Sequence, residues 1–297
     1  PGGDHRTMNQ GPQGPSFFLI YSGEAAGPQK RKPQGRRAAA VAVGPQSFKT
    51  FYLFFGCAWR TIKPLTRKDY TMKSAIIYNG PSLLDGQPIV VIATYSNRNT
   101  KTGHVVQTYI LRSDINPLEA SKTGADFSIC GNCPMRGEVT TDPNRKIAKG
   151  RKCYVNLGQG VLIVFKSFLR GVYKEGDPRT MGRGRFVRVG TYGDPAAVPS
   201  EVWDELLAEC DTWTAYTHQR PWRPDIAMQS VDSHAQALAH WEKGNRTFRV
   251  IANLGQIDHK NEALCPASKE AGRRVQCTAC KLCKGSSKAK SIAIVEH

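Results

Sequence analysis

Apolar residues occur in short runs from Ser74 onward, and their spacing changes along the chain. Residues 75–78, 89–95 and 105–111 are rich in β-branched and aromatic side chains. Gly80-Pro81 and Asp85-Gly86 part the first two runs and favour turns. The pattern predicts three strands of a small antiparallel sheet. Residues 117–122 predict a short helix, with Asn116 placed to cap it and Pro117 at its first position. Between 160 and 173, Val161, Leu162, Val164, Phe165, Phe168, Leu169 and Val172 recur at spacings of three and four, which predicts a helix with one buried face. Strands and helices then alternate. Strands are expected at 186–189, 212–217, 226–231 and 248–251, with helices at 200–210, capped by Ser200, and at 233–243, stopped by Gly244.

This alternation implies an α/β fold, either a partial (β/α) barrel or an open parallel sheet covered by helices. A small antiparallel β segment, 72–125, precedes the α/β core at 126–258, and a cysteine-rich metal-binding segment, 259–297, follows it. The connection between the strands ending at Thr217 and starting at Ile226 is the irregular point. It holds Arg220-Pro221 and Arg223-Pro224 and has little room for the crossover helix that parallel neighbours usually need. Residues 1–71 differ from the rest. They are rich in Gly, Pro, Gln and Arg and keep no period, so they are expected to be a disordered extension or sequence translated ahead of a start at Met72, with Cys57 incidental. No apolar run is long enough to cross a bilayer and no secretory signal is visible, which points to a cytoplasmic protein without a membrane partner.

Composition sharpens the choice of partner and compartment. The 297 residues hold 42 Lys/Arg against 24 Asp/Glu, a net charge of +18 that favours anionic partners such as nucleic acid or nucleotide. Nine cysteines without an export signal argue for reduced thiols, and their CxxC spacing argues for metal rather than disulfides.

The densest cluster is Cys265, Cys277, Cys280 and Cys283, four sulfurs within nineteen residues, which suits a tetrahedral zinc or a [4Fe-4S] cluster. A second group is Cys130, Cys133 and Cys153. Three thiolates leave one position open, the arrangement that catalysis at a metal uses, unless His104 or a C-terminal cysteine closes it. Cys210, at the end of a predicted helix, reads as a small core residue. Polar residues also follow the predicted strands. Thr191, Tyr192, Asp194, His218, Gln219, Asp232 and Arg249 sit where the carboxyl ends of parallel strands line a ligand crevice. Asp194, His218 and Asp232 are the candidate catalytic groups, and Thr191, Tyr192, Gln219 and Arg249 the candidate cofactor contacts. Asp194 and Asp232 also suit helix caps. Basic residues from Arg145 to Lys152 and the Gly182-Arg183-Gly184-Arg185 turn offer phosphate contacts, each a weak signal alone.

The stretches 128–137 (SICGNCPMRG), 153–160 (CYVNLGQG), 189–199 (VGTYGDPAAVP), 214–219 (TAYTHQ), 228–233 (MQSVDS) and 265–283 resemble an uncharacterised family encoded by phages and bacteria. The resemblance spans residues 72–297 and implies a bacterial host cell as the setting. A more distant likeness is to radical S-adenosylmethionine barrel proteins, which hold a reactive cubane on three cysteines and often carry a second, four-cysteine cluster. Their three cysteines lie in one short loop, whereas nineteen residues separate Cys133 from Cys153. That likeness implies an iron–sulfur enzyme using S-adenosylmethionine on a nucleic acid or nucleotide. A zinc-stabilised nucleic-acid-binding protein without catalysis is the alternative, and a metal-dependent nuclease built on Asp194, Asp232 and His218 is a third.

Overall fold

A computed structural model describes residues 74–96, 105–220, 222–273, 275–285 and 287–296. The expectations for residues 1–71, Met72, Cys57 and His104 fall outside these residues. The first three predicted strands form as β1 (Ala75–Pro81), β2 (Pro88–Ser96) and β3 (Val105–Arg112), paired antiparallel. Every residue from Ile89 to Ala93 is fully buried because β2 has a strand on each side and packing on both faces. Helix α1 (Pro117–Thr123) follows as expected. The Asn116 side chain accepts the Leu118 N–H, and Gly124 ends the helix in a left-handed conformation that only glycine adopts cheaply.

The antiparallel strands do not stand apart. Next along the chain come helix α2 (Phe127–Cys130), helix α3 (Leu162–Leu169), β4 (Lys174–Glu175), helix α4 (Pro178–Gly182), β5 (Phe186–Tyr192), helix α5 (Ser200–Leu207) and β6 (Thr212–Thr214). One six-stranded sheet runs β4-β1-β2-β3-β5-β6, with β3, β5 and β6 parallel. The remaining elements are β7 (Tyr216–Thr217), β8 (Met228–Val231), helix α6 (His234–Trp241), β9 (Thr247–Ile251), β10 (Glu262–Leu264), helix α7 (Cys277–Cys280) and β11 (Ser291–Val295). They build an all-parallel five-stranded sheet ordered β10-β11-β9-β8-β7. The protein is therefore mixed α/β with predominantly parallel pairing. Among the described residues no helix is long and apolar enough to cross a membrane.

Three elements depart from the pattern. The strand expected at 212–217 breaks at Ala215, whose N–H donates to the Cys283 carbonyl (3.1 Å) while its own carbonyl accepts from Met228 (3.0 Å). The backbone of the cysteine-rich segment thus docks at the break. The helix expected at 160–173 shrinks to α3, because Gly171 turns the chain at φ +66°, and Ile163, Leu169 and Val172 stay exposed. Helix α5 starts at Ser200 as expected, but Pro199 holds the cap position and no side chain caps it. The helix stops short of Cys210, which is only partly buried. Ser233 does cap α6, accepting the Gln236 N–H.

The core that backs the site centres on Trp203, which is fully buried with its indole N–H donated to the Pro195 carbonyl at 2.9 Å. Beside it α4 and α5 touch at Gly182, where an added Cβ would meet the Leu206 carbonyl oxygen at 1.8 Å. Alanine improves helix propensity by about 0.5–1 kcal/mol, and overpacking costs about 1–3 kcal/mol. The clash against backbone should win. Gly182→Ala is expected to lower the urea midpoint, and an unchanged or raised midpoint would refute this packing.

Candidate functional site

The first cysteine group sits on a loop that buried polar groups hold in place. Arg136 donates to the Gly131 carbonyl and the Gly124 carbonyl, both at 2.8 Å, and pairs with the Asp126 carboxylate at 2.6 Å. Its guanidinium therefore spans the turn that carries Cys130 and Cys133, as a planar fork of donors allows. From the far side Gln219, just beyond β7, donates to the Cys130 carbonyl (3.1 Å) and accepts the Asn132 N–H (3.4 Å). Gly131 lies between these contacts at φ +53°, and a Cβ there would stand 2.4 Å from the Gln219 amide.

Asp194 joins this loop to the strand ends. Its N–H donates to the Ile129 carbonyl at 2.6 Å. Its buried carboxylate accepts from the Thr217 hydroxyl (2.7 Å), the His218 N–H (2.8 Å) and the Ala196 N–H (3.0 Å). Burial raises the pKa of this carboxyl above its ordinary value, and the three donors oppose that shift. Asp194 was expected as a catalytic group. Its oxygens face donors inside the protein, and acceptance of the Ala196 N–H is the capping contact the sequence also allowed.

His218 and Asp232 do converge, with the imidazole Nε2 3.7 Å from the carboxylate. Burial pulls the His218 imidazole down, but hydrogen bonds to Asp232 and Cys133 more than reverse this and raise it to about 10. Both residues line a cavity of about 530 Å³, together with Asn132, Gln219, Arg220 and Trp222. The cavity exists because the 218–227 crossover carries no helix, the irregularity that its two prolines foreshadowed. Arg220, Trp222, Asn132 and Gln236 were not singled out as site residues in the sequence, since each reads alone as an ordinary loop or helix residue.

Cys130, Cys133 and Cys153 lie near enough to one another for their charges to interact, and each is partly buried. Burial drives the Cys130 thiol well above its usual range, and the nearby charges of Asp126, Cys133, Cys153 and Asp194 add to the effect. Burial also raises Cys153, against the pull of Arg151. Tyr192 is buried beside them. Burial raises its hydroxyl well above normal, and Cys130, Asp126 and Cys153 raise it further. That hydroxyl and the Thr191 hydroxyl have no hydrogen-bond partner, a state that costs about 1–3 kcal/mol per group. Tyr192 is thus placed beside the thiols, and neither it nor Thr191 lines the cavity.

The C-terminal quartet also gathers. Cys265 and Cys283 are buried in one apolar cluster with Met228 and Ile292. Burial pushes the Cys283 thiol up to about 12, the Tyr216 hydroxyl opposes this by hydrogen bonding, and the charges of Cys265, Cys277 and Cys280 reinforce it. Arg246 clamps the segment by donating to the carbonyls of Lys284 (2.7 Å), Gly285 and Lys290. Among the described residues, however, no three His, Cys, Asp or Glu side chains lie in a group able to hold an ion. Thiols are the donor type that zinc and iron–sulfur centres take.

Arg249 does not join the cavity. It forms a buried two-point ion pair with Glu262 (2.8 and 2.6 Å) and donates to the Gln256 carbonyl at 2.7 Å, tying β9 to β10. The parallel register put it at a strand end, but the sequence carried no sign of its acidic partner. No family model, curated protein or solved structure matches this chain.

Two measurements test this geometry. Breaking a buried pair leaves an uncompensated charge, so Glu262→Gln is expected to lose about 3 kcal/mol in urea unfolding; a loss within error of zero would contradict the pairing. For the loop clasp, Gly131→Ala and Gln219→Ala should be non-additive, because removing the amide relieves the Cβ clash. The double variant is expected to be about 1 kcal/mol more stable than additivity predicts.

Proposed function

We propose that this chain is an iron–sulfur protein whose reactive centre is held by Cys130, Cys133 and Cys153, and that it acts on a nucleic acid or nucleotide bound in the adjoining cavity. The reading is supported by the closeness of the Cys130, Cys133 and Cys153 thiols to one another, the donor type such a centre takes, and by a polar cavity beside their loop. Cys265, Cys277, Cys280 and Cys283 form the second centre, with four thiols and therefore no open position, which suits a structural role. When bound, an iron–sulfur centre supplies redox chemistry, at a potential set by burial and by hydrogen bonds to its sulfurs.

The chain's own residues provide the setting. Arg136 and Gln219 fix the loop that presents Cys130 and Cys133. Asp194 sets the height of Thr217 and His218 against that loop. His218 and Asp232 place a polar pair at the cavity wall. The parallel run β3-β5-β6 is continued by β7-β8-β9 through the break at Ala215, and we read this as an incomplete barrel. With the likeness to radical S-adenosylmethionine barrels, it makes that molecule the proposed co-substrate.

Anaerobic purification followed by iron, sulfide and zinc analysis tests the reading. Brown protein with iron and acid-labile sulfide is expected. Cys153→Ser should lose the share held at the first group, and Cys277→Ser the share held at the second. Colourless protein with zinc alone, binding nucleic acid with a steep salt dependence, would favour the zinc-stabilised binder instead. Metal-free protein after reconstitution would end both.

A further inference from the structure

The cavity has a composition of its own, apart from the thiols. At about 530 Å³ it is the size of a pocket for one small organic ligand, too small to take a folded partner or a duplex. Its charged lining is Arg220, His218 and Asp232. Among the described residues the Arg220 guanidinium makes one weak hydrogen bond, from Nη2 to the Ser230 carbonyl at 3.4 Å, so most of its donor fork remains for a ligand. Trp222 supplies the large aromatic surface of the lining and packs partly against the main core. Asn132 and Gln236 add amide groups, and the Gln236 oxygen already accepts the Asp232 N–H, which leaves its NH2 group for other contacts.

We propose that this cavity takes a single nucleotide unit, with its phosphate on the Arg220 fork and its base on the Trp222 face. A guanidinium prefers phosphate because its donors match two oxygens at once. An indole prefers a base because stacking is available to any nucleobase. The amides of Asn132 and Gln236 and the Asp232 carboxylate then have a base edge to read. Aliphatic acids would leave Trp222 unused, and neutral sugars would leave Arg220 unused. The assignment deepens the reading of the site as one acting on nucleic acid or nucleotide, and it needs no metal.

Calorimetric titration of the full chain as purified provides the test. The probes are adenosine, adenosine monophosphate, inorganic phosphate and a short single-stranded oligonucleotide. Adenosine monophosphate is expected to bind about tenfold or more tightly than adenosine or phosphate alone. Arg220→Gln should erase that phosphate advantage while leaving adenosine binding unchanged. Trp222→Ala should weaken both by about tenfold and Trp222→Phe should restore most of the loss. A tighter oligonucleotide with a steep salt dependence would identify a strand, and a preference for the monophosphate would identify a free nucleotide. Equal binding of adenosine and its monophosphate, or a phosphate advantage that survives Arg220→Gln, would overturn the proposal. Metal content is read separately from binding, so failure here leaves the metal analysis standing, and a metal-free result there leaves this binding intact.

Discussion

The buried carboxylate of Asp194 holds the site together. Three chain segments meet at this residue: the cysteine loop through the Ile129 carbonyl, the 3-10 turn Pro195–Ala197 through the Ala196 N–H, and the end of β7 through Thr217 and His218. A buried carboxylate without donors would be expensive, and here three donors offset much of that cost. The geometry of the cavity wall follows, since His218 and Gln219 take their positions from backbone that Asp194 anchors.

The cavity owes its existence to an exception. Parallel strands are normally joined by a helix that covers the sheet, but β7 and β8 are joined by ten residues without one. Arg223 pins this short crossover by pairing with Asp204 and Asp225. The uncovered strand ends and the loop form a recess with Arg220 and Trp222 on its wall.

Four arginines have an internal use. Arg112, Arg246 and Arg249 are buried, and Arg136 is mostly so. Each clamps carbonyls or a carboxylate: Arg112 on Asp114, Ser128 and Gln87, Arg136 on the cysteine loop, Arg246 on the C-terminal segment and Arg249 on Glu262. Guanidinium suits this work because it stays charged and offers several donors in one plane. Pairing of this kind leaves the net charge of +18 unchanged, because the partner carboxylates are already counted in it. Loops with little regular structure, such as those bearing the cysteines, are where such clamps concentrate.

The sequence by itself determined the local structure: β1 to β3, α1 with its Asn116 cap, α6 with its Ser233 cap, and parallel α/β pairing are all readable from periodicity and capping residues. Those features depend on neighbours a few residues apart, so the chain carries them in plain view. It also identified His218, Gln219 and Asp232 as groups at strand ends. Only the tertiary structure decided that 212–217 splits at Ala215, that Arg249 belongs to Glu262, and that Asp194 faces inward. Each of those outcomes depends on a partner distant in sequence, such as Cys283, Glu262 or Ile129. Whether a charged side chain faces a ligand or a buried partner is settled by packing, and no spacing along the chain encodes it.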